Sequence, residues 1–129
     1  MRLIKTFVIS ILTITSVLFP QDVNNNDNQI SGELTEISFI GEVGVDLFGV
    51  TVSSAGDVNG DGYEDIIIGA PFNDAGGVNA GRAYIYFGGT VMDSIADVIL
   101  TGEAAGDIFG ISVSSAGDVN GDSYDDVIV

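Results

Sequence analysis

Residues 41–68 (GEVGVDLFGVTVSSAGDVNGDGYEDIII) recur without a gap at 102–129 (GEAAGDIFGISVSSAGDVNGDSYDDVIV). The offset is 102 − 41 = 61, and 18 of the 28 positions are identical. Most of the differences keep size or charge, as in Val50 against Ile111, Thr51 against Ser112 and Glu64 against Asp125. A fainter match extends backward, Leu34–Ile40 over Ile95–Thr101, with apolar residues at the first, fourth and sixth places. One full unit therefore spans 41–101, and a second begins at 102 and is cut short at 129. A period of this size marks an array in which each unit buries its apolar face against the next.

Inside the unit the pattern is that of strands. Phe48, Val50 and Val52 alternate with Gly49, Thr51 and Ser53, the period of two of a half-buried strand. Asp65–Ala70 carries a short apolar run, which suits a strand covered on both faces. Arg82–Gly88 is rich in aromatic and β-branched residues, and Asp97–Thr101 gives a fourth candidate. Gly, Asn and Asp clusters separate them, and no window carries a helical stripe. Four short strands per unit predict an all-β fold, blades of a β-propeller or a related stacked array. A propeller closes with roughly 4–8 blades, so the ring is incomplete in this chain. Either it is part of a longer protein or several copies assemble.

Composition narrows the chemistry. Three Lys+Arg against 19 Asp+Glu give a formal charge of −16, which argues against nucleic acid and anionic lipid as partners. With neither Cys nor His, a disulfide framework, thiolate or histidine metal ligation and a Ser-His-Asp triad are all excluded. Carboxylates, amides and hydroxyls remain, and these are ligands for hard cations. At the N-terminus, Arg2 and Lys5 precede an uncharged run from Phe7 to Phe19. Residues 1–20 read as a signal peptide for export, although no A-x-A cleavage pattern follows. Residues 21–33 read as a polar, Asn-rich linker. Membrane contact is expected only through this signal or anchor segment.

Eight of the 19 acids fall in two nine-residue loops of pattern D-x-N-x-D-x-x-x-D. The first holds Asp57, Asn59, Asp61 and Asp65, and the second Asp118, Asn120, Asp122 and Asp126. With the backbone carbonyl of Tyr63 or Tyr124 at the seventh place, each loop offers an all-oxygen donor set. Such a set suits Ca²⁺, which takes about 6–8 oxygens in flexible geometry, better than Mg²⁺ with its strict octahedron. Gly62 at the sixth place permits a positive φ, whereas Ser123 in the second loop does not favour one. A helix-flanked EF-hand or dockerin loop is excluded, because the twelfth place is Ile68 or Val129 within an apolar strand-like run.

Phe48-Gly49 before the loop and Gly69-Ala70-Pro71 after it resemble the two elements that name FG-GAP repeats. These are the blades of the integrin alpha-chain N-terminal propeller and its bacterial relatives. The resemblance covers about 34–129; the second unit shows Phe109-Gly110 and its loop but no GAP element. It implies a seven-bladed ring in which calcium braces loops between the first two strands of certain blades. It also implies that 34–40 is a strand closing the last blade.

The remaining conspicuous residues have plain structural readings. Tyr84, Tyr86 and Phe87 are expected to pack in the core and between blades, and Arg82 to pair with a nearby acid. Asp46 and Asp107 are expected in turns. The Ser53-Ser54 and Ser114-Ser115 pairs have no base beside them, and no catalytic constellation is visible. The functional expectation is an exported, calcium-stabilised propeller module, not an enzyme, binding an extracellular protein or glycan in adhesion. The alternatives are an accessory propeller of a larger secreted enzyme, of hydrolase or phospholipase type, and a structural repeat of a surface layer.

Overall fold

The computed structural model describes residues 37–129. The expected signal, the linker and residues 34–36 of the expected closing strand lie outside the described residues. Residues 37–40 have no regular secondary structure, but Phe39 lies against Tyr86 with ring centroids 4.5 Å apart.

The full unit is an antiparallel meander. Strands β1 (Thr51–Gly56), β2 (Asp65–Ala70), β3 (Arg82–Tyr86) and β4 (Val98–Thr101) lie side by side in chain order. The second unit contributes the pair β5 (Ser114–Gly117) and β6 (Asp126–Ile128). The same irregularity interrupts both first strands, between Ser54 and Gly56 and between Ser115 and Gly117. Among the described residues the only helical element is a three-residue 3-10 turn, Gly44–Asp46.

The register sorts the side chains onto two faces. Ser53, Ile67, Ile85 and Val98 pair in a row on the face toward the second unit. There Ala55, Ile67, Ala83 and Ile85 form a buried cluster, against which Phe109, Val113 and Val127 of the second unit pack. Val52, Ile68, Tyr84 and Ile99 form the matching row on the outer face. Ile68, Ala70, Tyr84 and Tyr86 make the outer cluster, joined by Phe39, Phe48 and Met92. As expected of an apolar run covered on both sides, β2 is almost wholly inaccessible.

The first strand differs from the expectation in its start and in what its apolar side meets. Leu47 (φ 55°) and Gly49 (φ 84°) are left-handed, so Phe48-Gly49 is a turn and the strand begins at Thr51. The Gly49 N–H still donates to the Gly69 carbonyl at 3.0 Å, closing that turn on β2. Phe48 and Val52 do share a side, but it is the outer one, and Val52 remains 43% exposed. The small polar side of the strand faces the second unit instead, where the Thr51 hydroxyl donates to the Gly110 carbonyl at 2.8 Å.

Tyr84 and Tyr86 are buried on one face and Phe87 packs on the other, as expected of core residues. Phe48 meets Tyr84 edge-on at 5.3 Å. Burial raises the pKa of both phenols, that of Tyr86 to about 12.

Candidate metal centre

Each acidic loop connects the first two strands of its unit, and its backbone is wound around its own side chains. In the first loop Asp57 Oδ1 accepts the N–H groups of Gly60 (2.7 Å) and Asp61 (3.0 Å), and Oδ2 that of Gly62 (2.8 Å). Asn59 Oδ1 accepts from Asp61 N–H at 2.9 Å, and Asp61 Oδ1 from Tyr63 N–H at 2.9 Å. These are the side-chain-to-backbone turns that Asp and Asn favour. The second loop repeats them bond for bond, with Asp118 accepting from Gly121, Asp122 and Ser123, Asn120 from Asp122, and Asp122 from Tyr124. The backbone N–H groups, that of Ser123 foremost, hold the Asp118 carboxyl below the usual carboxylate range.

The ninth residue is placed differently from the other three. Asp65 opens β2, is fully buried, and spends both carboxylate oxygens on backbone: Val58 N–H at 2.9 Å and Gly88 N–H at 2.8 Å. It pins the loop to the far end of β3. Its counterpart Asp126 accepts from Val119 N–H at 3.0 Å and from the Asn120 amide at 3.3 Å.

The loops therefore bring Asp57, Asn59 and Asp61 together at the tip, with Asp65 beneath, and do the same for Asp118, Asn120, Asp122 and Asp126. Among the described residues no three acidic side chains converge as a ready cation cage. The donor chemistry nevertheless fits a hard cation: every side-chain ligand is oxygen, and the tips are exposed. The sixth position is left-handed in both loops, with φ 87° at Gly62 and φ 74° at Ser123. The second loop thus carries the strain that the serine implied.

A second set of residues at the loops joins the two units. The Asp57 N–H donates to Asp125 Oδ2 at 2.8 Å, and Asp125 N–H returns a bond to the Asp57 carbonyl at 2.9 Å. Gly60 lies on the Tyr124 ring, where a Cβ would collide. Farther along the junction Gly69 abuts the Gly110 carbonyl so closely that a Cβ on Gly69 would overlap it. A Cβ on Gly110 would overlap the Arg82 carbonyl in turn. The glycine of one unit's GAP element is thus seated on the glycine of the next unit's FG element. The eighth loop position, Glu64 or Asp125, is acidic in both units, and that recurrence was the available sign of its role at the junction.

Arg82 pairs with Glu42 at 2.8 Å, as expected of an isolated cation in an acidic chain. The pair belongs to a network the sequence did not announce. Glu42 also accepts from Tyr84 and from the Asn73 amide, which donates to buried Asp46 at 2.7 Å. Asp46 lies in the 3-10 turn and Asp107 accepts from Ala104 N–H at 2.8 Å, so both are turn residues.

Comparison with known proteins agrees with this geometry. The FG-GAP repeat family matches residues 48–86, which run from the FG turn through the acidic loop and GAP element to the end of β3. Residues 48–86 are an FG-GAP repeat. The chain is 38% identical to integrin alpha-5 of Xenopus laevis over 97 residues, 71% of this chain and 9% of that protein. It is 38% identical to integrin alpha-7 of Rattus norvegicus over 85 residues, 64% of this chain and 7% of that protein. With integrin alpha-8 of Gallus gallus the identity is 35% over 105 residues, 77% of this chain and 10% of that protein. The chain thus spans about a tenth or less of the length of these relatives. The four-stranded FG-GAP sheet is one propeller blade and β5–β6 is the first strand pair of the next, in an integrin-like module whose ring is not closed here. Among the described residues no helix is long and apolar enough to cross a membrane.

Proposed function

We propose that this chain is part of an exported, calcium-binding FG-GAP propeller that serves as a binding module in adhesion, with the ion structural. The observation that supports it most is the duplication of one oxygen-only loop with the same internal hydrogen bonds at the same place in two successive blades. Asp57, Asn59, Asp61, the Tyr63 carbonyl and Asp65 would hold one ion. Asp118, Asn120, Asp122, the Tyr124 carbonyl and Asp126 would hold the other. A divalent cation supplies charge neutralisation there, where neighbouring carboxylates repel. The residues themselves set the loop shape and tie it to the next blade through Asp57 and Asp125. A rigid ring of this kind presents its loops to an extracellular protein or glycan. No residue is assigned a catalytic part.

Thermal melting of the full chain with calcium and with a chelator tests the reading. At a calcium concentration about 100 times the dissociation constant, the stabilisation is about 2.7 kcal/mol per site. Asp61→Ala, which removes an exposed tip ligand, is expected to lose the first site's share of that rise. Equal melting of the parent chain in both conditions overturns the calcium assignment.

A further inference from the structure

Asparagine is followed by glycine twice in the chain, as Asn59-Gly60 and Asn120-Gly121, each pair at the third and fourth places of an acidic loop. In such a pair the backbone nitrogen of the glycine is well placed to attack the asparagine side-chain amide, because no Cβ obstructs the five-membered ring that forms. Asn59 is half-buried and Gly60 is exposed, so water reaches the pair. Both reacting groups are nevertheless held. The attacking nitrogen, that of Gly60, donates its N–H to Asp57 Oδ1 at 2.7 Å. The Asn59 amide is fixed at both ends, its oxygen accepting from the Asp61 N–H at 2.9 Å and its Nδ2 donating to Asp61 Oδ2 at 3.0 Å. In the second loop the Gly121 N–H donates to Asp118 Oδ1 at 2.6 Å. A nitrogen that faces a carboxylate in this way resists losing its proton, since the anion formed would lie beside a negative charge.

We propose that Asn59 is a latent deamidation site, kept unreactive by Asp57 and released when the loop opens. Once free, the Gly60 nitrogen gives up its proton and bonds to Asn59 Cγ. The Cγ–Nδ2 bond breaks, and the amide nitrogen takes up a proton and leaves as ammonia. Water then adds across one of the two C–N bonds of the succinimide, giving aspartate by one route and isoaspartate by the other. Aspartate adds a fifth carboxylate to residues 57–65, which carry four. Isoaspartate inserts a methylene into the main chain between the Asp57 carboxyl and the three N–H groups it accepts, so those bonds no longer re-form together. The change is one-way, and it marks each molecule whose loop has opened.

Peptide mapping of the full chain by mass spectrometry follows the amide-to-acid conversion at both asparagines over time. Chelator is present throughout, so the outcome does not depend on the calcium reading. A hydrogen bond to a charged acceptor that has to break before attack slows the step, so Asp57→Ala is expected to speed conversion at Asn59 by about 10- to 100-fold. Asn120 in the same molecules, whose neighbouring nitrogen is held by Asp118, should keep the parent's rate. If Asp57→Ala does not fold by circular dichroism, Asp57→Asn takes its place, keeping the shape and losing the charge. Conversion at Asn59 no faster than in the parent overturns the proposal. Equal acceleration at both asparagines overturns it too, since that is the mark of general unfolding and not of a local latch.

Discussion

The seating of Gly69 against Gly110 makes the blade junction measurable as a coupling between two glycines. A methyl group at Gly69 meets the Thr51 hydroxyl and, nearer still, the Gly110 carbonyl, which is backbone and cannot swing aside as a side chain can. Overpacking of this kind costs roughly 1–3 kcal/mol. At Gly110 the methyl group meets the Arg82 carbonyl and the backbone is also left-handed, with φ 85°. The conformation adds about 1–2 kcal/mol, so Gly110→Ala should cost roughly 2–5 kcal/mol. Gly106 separates the two contributions, because it has φ 86° and nothing within 4 Å of an added Cβ. Gly106→Ala should therefore show only the conformational part, about 1–2 kcal/mol. Relief of both collisions requires the same movement, a separation of the two units. The double variant should then be less damaged than the sum of the singles, by roughly 0.5–3 kcal/mol. Urea titrations of the parent and the four variants, followed by circular dichroism, give these values. Strict additivity, or a Gly69→Ala variant as stable as the parent, would refute the close seating of the two motifs.

Three further outcomes follow from the same geometry. Ser123→Gly should stabilise the second unit by about 1 kcal/mol, since a left-handed serine is replaced by the residue suited to that φ; hydrogen exchange of β5 and β6 checks it. Asp65→Ala leaves the Val58 and Gly88 N–H groups without their acceptor, at roughly 1–3 kcal/mol each, and should destabilise the chain even with chelator present. In alkali, Tyr86 has a folded pKa of about 12 against the ordinary 10. Its contribution is whole below pH 10 and is lost as pH rises toward 12, because the unfolded chain releases that proton first. Two pH units correspond to about 2.7 kcal/mol, and in Tyr86→Phe the alkaline fall in urea midpoint should shrink accordingly.

The acidic loops, β2 and the aromatic core of β3 were readable before any coordinates, because each rests on local chemistry. Asp and Asn take up nearby backbone N–H groups, and an isoleucine run has to be covered on both sides. The first strand was legible only in part. Alternation fixed which residues share a side, but not that the side of Thr51, Ser53 and Ala55 meets the neighbour. That depends on Gly69 and Gly110 letting two backbones approach, which is a contact across 41 positions of sequence. The network of Glu42, Asp46, Asn73, Arg82 and Tyr84 was equally hidden, since its members are scattered and Asn73 has no counterpart within these residues.

The junction between the two units has a genetic corollary. Ser53–Asp61 and Ser114–Asp122 are the same nine residues, and they begin in the strand and end in the loop that makes the contact. A crossover between the two coding stretches would remove or add 61 residues in register. Every surviving unit would still meet its neighbour through the same pair of surfaces. In such an array the number of blades can drift without any interface being reinvented, and selection on that number acts through whether the circle closes.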